Sequence, residues 1–350
     1  LNEFRTPAQQ RLIFEEFFFF QAGLSLRRRE LHAETKAHSI AVDDRIRAAA
    51  LEVLPFRLTG DQRAALKEIV SDLTRPVPMR RLLQGDVGSG KTIVSILAAL
   101  VVMENSLQVA LMAPTELLAE QHFSSLKEVL GRSRFGLTLL TGATPAKDRR
   151  RFIENIADGS LQFVVGTHAL LQEDIMFPRL GLVVIDEQHR FGVSQRAALR
   201  AKGNRPDILV MTATPIPRTL ALTVYGDLDV TNIHELPPGR KPILTTVHSE
   251  SVRSGVYDLV RGELDKGRQA YVVCPLVEES EKLDLRAATQ LSGELKDRVF
   301  PDKQVELLHG RVNASERERI MKLFVKGDVD VLVATTVIEV GVDVPNATVM

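Results

Sequence analysis

From about residue 51 onward, short apolar runs alternate with stretches long enough to form helices. In the first part of the chain the runs are 81–84, 108–114, 163–167, 182–186 and 208–214, and they are rich in aliphatic and β-branched residues. Runs of this length, separated by helical segments, are typical of a parallel sheet covered on both faces. Each run ends in small or polar residues, and open α/β sheets bind ligands at the carboxyl ends of their strands. The pattern therefore predicts an α/β lobe with a binding site along that edge.

A second lobe is predicted after a break rich in proline. The segment "LPPGRKP" (236–242) contains three prolines and a glycine, which favours a linker. Apolar runs then resume at 270–275, 305–310 and 330–336, with a charged stretch at 278–303 that we interpret as a solvated helix and loop. The final "NATVM" has the pattern of a strand that is beginning, so we expect the second lobe to be incomplete. We assign residues 51–240 to the first lobe and 241–350 to the second.

The first fifty residues have a different pattern and predict a helical linker. Thr6, Pro7 and Gln9 suit the N-cap, N1 and N3 positions of a helix over residues 6–30. Four consecutive phenylalanines, 17–20, would expose much aromatic surface on an isolated helix, so we expect them to pack against another domain. Residues 32–50 are polar and rich in alanine, which favours a second helix.

Composition excludes several classes of protein. Lys plus Arg and Asp plus Glu both number 45, which argues against a uniformly basic nucleic-acid binder but leaves room for a local basic groove. Cys274 is the only cysteine, which excludes an intramolecular disulfide or a cysteine-rich zinc site. The sequence lacks an apolar run near the ~18 residues that span a bilayer and lacks the pattern of a signal peptide. We therefore expect a soluble cytoplasmic protein without a membrane partner.

The strongest chemical signal is "GDVGSGKT" (85–92), which fits the P-loop pattern G-x-x-x-x-G-K-[ST] between a strand and a helix. Backbone N–H groups of such a loop and the N-terminus of the following helix bind phosphate. Lys91 is predicted to reach the β- and γ-phosphates of ATP, and the Thr92 hydroxyl to bind Mg²⁺. The candidate phosphate-binding residues are Gly85, Asp86, Val87, Gly88, Ser89, Gly90, Lys91 and Thr92. The alternative is a glycine-rich turn with an incidental lysine.

A second signal is the run "VVIDEQHRFG" (183–192), in which an aliphatic strand leads directly into two acids, an amide and an imidazole. Adjacent carboxylates are costly to bury without partners, so they should face a cation or water. We expect Asp186 to hold the magnesium ion and Glu187 to act as general base on the water that attacks the γ-phosphate. Gln188 and His189 are not needed for simple hydrolysis, so we predict that they report the γ-phosphate to another part of the protein. The alternative is an exposed acidic turn.

The order of these and other motifs resembles that of superfamily 2 helicases and translocases. The additional segments are "APTELLAEQ" (113–121), "VGTHAL" (165–170), "TATPIPRTL" (212–220) and "ATTVIEVGVDVP" (334–345). This resemblance implies two RecA-like lobes with ATP in the cleft between them. The segments "VIDEQHRFGVSQR", "YGDLDV" and "ELPPGR" are more narrowly similar to the RecG family of bacterial ATP-dependent DNA helicases, which act on branched junctions. The nearest rival is the transcription-repair coupling translocase, which shares the P-loop and "TATPIPRTL"-like segments.

The resemblance also implies roles for individual residues of the first lobe. Gln62 in "FRLTGDQ" would read adenine, although it could instead cap a helix. Thr212 and Thr214 would link hydrolysis to movement by bonding Asp186 or His189. Two loops without long cations would hold a DNA strand through backbone N–H groups and hydroxyls, and the candidate residues are Pro114, Thr115, Thr167 and His168. Either loop could also be an ordinary turn between a strand and a helix.

In the second lobe, Gly341 and Asp343 would face ATP across the cleft, and Arg311 in "HGR" would contact a DNA phosphate or remain a solvated surface charge. The last motif of the family carries arginines that stabilise the transition state and would lie beyond Met350, and the wedge domain would precede residue 1. We therefore expect this chain alone to bind nucleotide weakly and to hydrolyse it slowly.

The resemblance as a whole implies an ATP-driven double-stranded DNA translocase that remodels stalled forks and Holliday junctions. It would act as a monomer, and a single-stranded DNA-binding protein is a candidate partner. Two alternatives stay open. One is a translocase that couples transcription to repair, and the other is a nucleotide-gated binding module without motor activity, suggested by the four phenylalanines.

Overall fold

A computed structural model describes residues 6–32, 34–54, 56–187, 198–199, 201–214, 228–238, 243–274, 281–335 and 342–350. Within its helices, the side chains of residues 27, 28, 30–32, 51, 281–286 and 314 are not described. The chain divides into two compact units, Leu1–Arg240 and Lys241–Met350. None of the described helices is long and apolar enough to cross a membrane.

The first unit is built on a seven-stranded sheet whose strand pairs are all parallel. Its strands are β1 (Arg80–Gly85), β2 (Gln108–Met112), β3 (Leu137–Leu140), β4 (Phe163–Gly166), β5 (Leu180–Asp186), β6 (Asp207–Thr212) and β7 (Asp229–Ile233), in the spatial order β3-β4-β2-β5-β6-β1-β7. The described helices are α1 (Pro7–His32), α2 (Asp44–Glu52), α3 (Gly60–Leu73), α4 (Lys91–Glu104), α5 (Glu116–Leu130) and α6 (Ala146–Ala157), with a 3₁₀ turn at His168–Leu171.

The predicted parallel α/β architecture is confirmed, and all five apolar runs of the first lobe form strands. The strands β2, β4, β5 and β6 are buried along their whole length, which explains their continuous hydrophobic character. The pattern missed β3 and β7, which are the two edge strands. Both are only partly buried, so their sequences need less hydrophobic character and resemble loops.

The helix α4, which follows the P-loop, is apolar on every side because it is covered by the sheet and by neighbouring helices. Ten consecutive residues, Val94 to Met103, are buried. A helix without a polar face is typical of a fully enclosed position. The P-loop is therefore attached to a rigid element at its helical end and to the interior strand β1 at its other end.

The N-terminal prediction is partly confirmed. Thr6 and Gln9 form the expected reciprocal cap, with the Gln9 N–H donating to Thr6 Oγ1 at 3.3 Å, and α1 runs to His32. Phe17 and Phe19 are 60% and 70% exposed, so their packing against another domain stays a prediction. The helix predicted over 32–50 is wrong in its first half, since helix α2 begins only at Asp44. Residues 34–41 instead lie extended on the first unit, where the Lys36 N–H donates to Pro76 O at 2.9 Å.

The second unit contains a four-stranded parallel sheet in the order β11-β8-β10-β9. Its strands are β8 (Gln269–Cys274), β9 (Val305–Leu308), β10 (Val331–Thr335) and β11 (Ala347–Val349), and its helices are α7 (Arg253–Leu264), α8 (Glu281–Glu294) and α9 (Ala314–Lys326). The charged stretch 278–303 is more buried than expected. It places Ala288, Leu295 and Phe300 in the core, so the interpretation as a solvated helix and loop is wrong for these residues.

Candidate nucleotide site

The predicted P-loop joins β1 to α4 at the carboxyl edge of the first sheet. Gly88 and Gly90 have φ values of 77° and 93°, in the left-handed region that glycine adopts without strain. Gly90 is also the N-cap of α4, and a Cβ atom there would collide with the Gln62 amide. The loop therefore requires glycine at residue 90 for both its backbone angle and its contact.

Lys91 folds back over this loop. Its Nζ donates to the carbonyl oxygens of Gly85 at 2.8 Å and Asp86 at 3.0 Å. Burial lowers the pKa of the Lys91 ammonium, while the negative charges of Asp186, Glu187 and Asp86 oppose that shift. A partly buried ammonium near three acids has the charge and position to bind a polyphosphate.

The Ser89 hydroxyl is a second feature of the loop. Ser89 is fully buried, and its Oγ has no hydrogen-bond partner in the described part of the chain. A buried hydroxyl without a partner is costly, and such groups are often completed by a ligand or water. Its place inside the P-loop fits an anionic ligand that accepts hydrogen bonds.

Gln62 has a different environment from the one predicted. Its Oε1 accepts from the Thr59 N–H at 2.9 Å and its Nε2 donates to Ser89 O at 2.8 Å, and the residue is only 2% exposed. The first bond belongs to a capping box at the start of α3, which is the alternative role considered for this residue. The amide therefore supports the P-loop backbone in this structure, and recognition of adenine by Gln62 stays a prediction.

Asp186 is the last residue of β5, two strands away from β1 in the sheet, so it reaches the same edge as the P-loop. Its Oδ2 lies 2.6 Å from Nε2 of His122, a residue of α5 that is 9% exposed. Sequence reasoning missed His122. The available signal was its position between the buried Leu118 and Leu126 at helical spacing, where a polar side chain needs a partner.

Glu187 follows directly and takes an unusual backbone conformation. Its φ is 48°, in the left-handed region that is uncommon for residues other than glycine. Its carboxylate accepts from the Ala213 N–H at 3.1 Å and from the Thr212 hydroxyl at 3.2 Å. Thr212 lies 2.8 Å from the Thr214 hydroxyl. The two threonines therefore connect to Glu187, whereas the sequence predicted bonds to Asp186 or His189.

The oxygen ligands at this edge fit a magnesium ion held together with a nucleotide. The Thr92 hydroxyl lies in the first turn of α4, and Asp186 supplies a carboxylate. Mg²⁺ is normally bound by one or two protein oxygens together with phosphates and waters. Among the described residues no group of three or more His, Cys, Asp or Glu could form a cage for a metal. The donor set therefore suits a metal that arrives with a phosphate ligand.

Comparisons with known proteins identify the family. The DEAD/DEAH box helicase family matches residues 59–223, and the helicase conserved C-terminal domain matches residues 253–350. The chain is 50% identical over 343 residues to the ATP-dependent DNA helicase RecG of Synechocystis sp., an alignment that covers 98% of this chain and 41% of the relative. It is also 50% identical over 352 residues to RecG of Aquifex aeolicus, an alignment that covers 100% of this chain and 44% of the relative.

A solved structure of RecG bound to a three-way DNA junction matches with a TM-score of 0.84 and 41% identity, over 97% of this chain and 44% of that one. The chain belongs to the RecG family.

The chain spans less than half the length of these RecG relatives. The family assignment confirms the narrower resemblance inferred from the motifs, and the fold of two RecA-like lobes with parallel sheets is confirmed with it. Within this shared length the chain matches both helicase domain models.

In this RecG-family chain, two predicted DNA-contact loops are neighbours at the edge that holds the P-loop. The Ala113 N–H donates to Gly166 O at 2.9 Å, which fixes the loop after β2 beside the loop after β4. Thr115 caps α5, with its Oγ1 accepting from the Leu118 N–H at 3.3 Å. Thr167 is buried with a hydroxyl that has no partner among the described residues, and His168 is exposed.

A third loop at this edge was missed. Residues 141–144 follow β3, the neighbour of β4, and the Ala143 N–H donates to Glu116 Oε1 at 3.0 Å. The next helix carries the arginine cluster 149–151. Arg149 pairs with Asp174 at 2.8 Å and Arg151 with Asp148 at 2.9 Å, and both Arg150 and Arg151 are exposed.

The remaining predicted residues lie in the second unit or outside the description. Arg311 is exposed, and its N–H donates to His309 Nδ1 at 3.2 Å in the loop after β9. Asp343 is exposed. Burial, with a smaller contribution from the negative charge of Asp343, raises the pKa of Tyr271 to about 12. Gln188, His189 and Gly341 lie outside the described residues. Their predicted roles stay predictions.

Proposed function

We propose that this chain is the ATP-driven motor of a double-stranded DNA translocase that remodels branched DNA, including stalled forks and Holliday junctions. The observation that carries the proposal is the convergence of Lys91, Asp186 and Glu187 at one edge of the first sheet. These residues supply a cation for phosphate, a metal ligand and a general base. The 50% identity to relatives named ATP-dependent DNA helicase RecG supports DNA as the substrate.

In this mechanism the backbone N–H groups of residues 85–92 and the Ser89 hydroxyl hold the phosphates of ATP. Lys91 would exchange its two carbonyl partners for β- and γ-phosphate oxygens, which are stronger acceptors because they are charged. Glu187 is 2% exposed and held by two hydrogen bonds, so its carboxylate is fixed where it could accept a proton from an attacking water. The bonds from Thr212 and Ala213 give the segment after β6 a direct contact with that base.

Thr92 and Asp186 would hold magnesium. The ion neutralises charge that develops on the transferred phosphoryl group when it is bound. Asp186 is 7% exposed, which limits competition from solvent at the carboxylate.

DNA would lie along the loops after β2, β4 and β3. These loops present backbone N–H groups, the Thr115 side chain and few long cations, which suits contacts to a phosphate backbone without reading of sequence. The Thr167 hydroxyl is buried and would need a local movement to reach DNA. Arg311 of the second unit would add a contact to phosphate. We further propose that the protein acts in the cytoplasm as a monomer, with a single-stranded DNA-binding protein as a partner.

The test is Lys91→Ala in the complete protein that contains this chain, assayed as ATP hydrolysis with and without a synthetic three-way junction. We expect a loss of junction-stimulated hydrolysis of at least about 10²-fold, because positioning and charge stabilisation of the phosphates supply most of the catalysis. Junction binding, measured by fluorescence anisotropy, should stay within about 3-fold, since the DNA loops are separate from the P-loop.

The matched control is Lys67→Ala, which removes an exposed lysine from α3 of the same unit. It should leave hydrolysis unchanged. Retained hydrolysis in Lys91→Ala would exclude Lys91 from the mechanism. Hydrolysis that junction DNA fails to stimulate in the unaltered protein would favour the nucleotide-gated binding module, for which the exposed Phe17 and Phe19 are the supporting observation.

A further inference from the structure

We propose that His122 is a positioning residue that fixes the Asp186 carboxylate for magnesium. The proposal rests on the function proposed above, in which Asp186 holds a nucleotide-bound metal ion. It is carried by the buried contact of 2.6 Å between His122 Nε2 and Asp186 Oδ2.

The direction of this hydrogen bond follows from the chemistry of the two groups. An ionised carboxylate accepts hydrogen bonds and has none to donate, so the ring must donate its Nε2–H. The bond occupies Oδ2 and leaves Oδ1 as the oxygen for a metal. Partners of this kind, which orient a metal ligand without touching the metal, are typical of metal sites in proteins.

Asp186 needs such a partner because of its own flexibility. The terminal torsion of an aspartate side chain has a broad distribution, and the two oxygens exchange by rotation about it. A donor at a fixed point on one oxygen restricts that rotation before the metal arrives. The entropic cost of ordering the carboxylate is then met during folding, so metal binding does not bear it.

His122 is itself held rigidly. It lies on the buried face of α5 between Leu118 and Leu126, which are 2% and 1% exposed. The helix begins at the Thr115 cap, shortly after strand β2, and packs against β3 and β4. Strand β2 in turn pairs with β5, where Met112 lies opposite Ile185. The donor and the acceptor therefore belong to adjacent parts of one rigid scaffold.

The test compares His122→Gln with His122→Asn. Glutamine places its Nε2 the same number of bonds from Cβ as the imidazole Nε2, whereas asparagine is one bond shorter and cannot reach Oδ2. The measurement is binding of a fluorescent N-methylanthraniloyl ADP to the purified protein as Mg²⁺ is titrated, and again in EDTA. We expect His122→Asn to raise the Mg²⁺ concentration at half-saturation about 10–100-fold. His122→Gln should stay within about 3-fold of the unaltered protein.

Affinity for the nucleotide in EDTA should be the same in all three proteins, because the inferred role concerns the metal alone. His38→Asn, which changes a histidine on the extended segment before α2, is the matched control and should leave the Mg²⁺ midpoint unchanged. Equal midpoints in the Asn and Gln variants would overturn the inference while leaving the proposed function intact. Equal losses with Mg²⁺ and with EDTA would also overturn it, since they would indicate a general packing role. Failure of the unaltered protein to bind nucleotide in an Mg²⁺-dependent way would defeat the proposed function and this inference together.

Discussion

Both ends of the first sheet carry buried or partly buried charged groups, but the partners of these groups differ. At the amino end, Lys36 Nζ binds Asp207 at 3.1 Å and Leu73 O at 2.5 Å, and Arg80 binds Glu34 at 2.7 Å. At the carboxyl end, Lys91 donates to the backbone carbonyls of Gly85 and Asp86. Among the described residues the Ser89 hydroxyl has no hydrogen-bond partner. The amino end pairs cation with anion within the protein, whereas the carboxyl end keeps its cation and hydroxyl available to a ligand.

The difference shows how a buried charge can be assigned to structure or to function. A buried ion pair that is already complete anchors the fold, and here it anchors the extended segment 34–41 to strands β1 and β6. A partly buried cation that donates to backbone carbonyls rather than to a carboxylate is a candidate for ligand binding. If this comparison is correct, changes at the carboxyl end should alter chemistry with little effect on stability. Changes at the amino end should lower stability with little effect on nucleotide binding or hydrolysis.

The largest effect is expected from Glu187→Gln at the carboxyl end. The amide keeps the shape of the side chain but cannot accept a proton, so ATP hydrolysis should fall about 10²–10⁴-fold. Nucleotide affinity should stay within a few fold, because Lys91 and the P-loop are unchanged. Steady-state hydrolysis and equilibrium binding of a fluorescent nucleotide measure the two quantities.

Glu128→Gln, an exposed position on α5, is the matched control and should behave like the unaltered protein. The comparison would break if Glu187→Gln lowered the free energy of unfolding as much as it lowered turnover. That result would make Glu187 a structural residue held by Thr212 and Ala213.

Lys36→Met at the amino end should have the reverse signature. It leaves the Asp207 carboxylate buried with the Met79 N–H at 2.6 Å as a remaining donor, and breaking a buried pair in this way costs about 3–5 kcal/mol. Chemical denaturation of the first unit measures the loss. Affinity for nucleotide, measured where the protein is folded, should not change.

Lys147→Met removes an exposed lysine from α6 and should cost less than about 0.5 kcal/mol. A loss of the same small size in Lys36→Met would mean that the buried pair contributes nothing to anchoring residues 34–41.

The same contrast explains what could be predicted from the sequence. The P-loop and the Asp186–Glu187 pair can be recognised locally, because in each case the polar residues directly follow a strand in the sequence. That both lie at the same edge of the sheet follows because the carboxyl ends of parallel strands meet there. The buried strands were equally visible. His122 and Lys36 were not, because their partners are 64 and 171 residues away and no local pattern links them. The edge strands β3 and β7 were missed since partial burial relaxes their hydrophobic pattern.

The helix predicted over 32–50 failed for the same reason as Lys36. Its alanine-rich composition favours a helix, but tertiary contacts override propensity where Lys36 reaches Asp207 and Arg205 Nη1 donates to Thr35 O at 3.0 Å. Gln62 differs, because its local sequence was compatible with two roles, recognition of adenine and capping of a helix. The capping box is the one present in this structure, and recognition of adenine needs a bound nucleotide to test.

The smallest effect concerns the pH dependence of the amino end. Burial raises the pKa of Asp207 from 3.8 to about 6, against the opposing charge of Lys36. A carboxyl group that holds its proton more tightly in the folded chain than in the unfolded chain favours folding at low pH. Its contribution is therefore fully present below pH ~4 and declines as the pH rises through about 6, by roughly 3 kcal/mol in total.

Asp207→Asn keeps the shape of the side chain without titrating. The free energy of unfolding of the unaltered protein, relative to that of Asp207→Asn, should therefore fall by about 2–3 kcal/mol between pH 4 and pH 7 and stay level above pH 7. Parallel pH profiles for the two proteins would show that Asp207 titrates alike in the folded and unfolded chains. That result would contradict the conclusion that burial at the amino end of the sheet destabilises the charged form of Asp207.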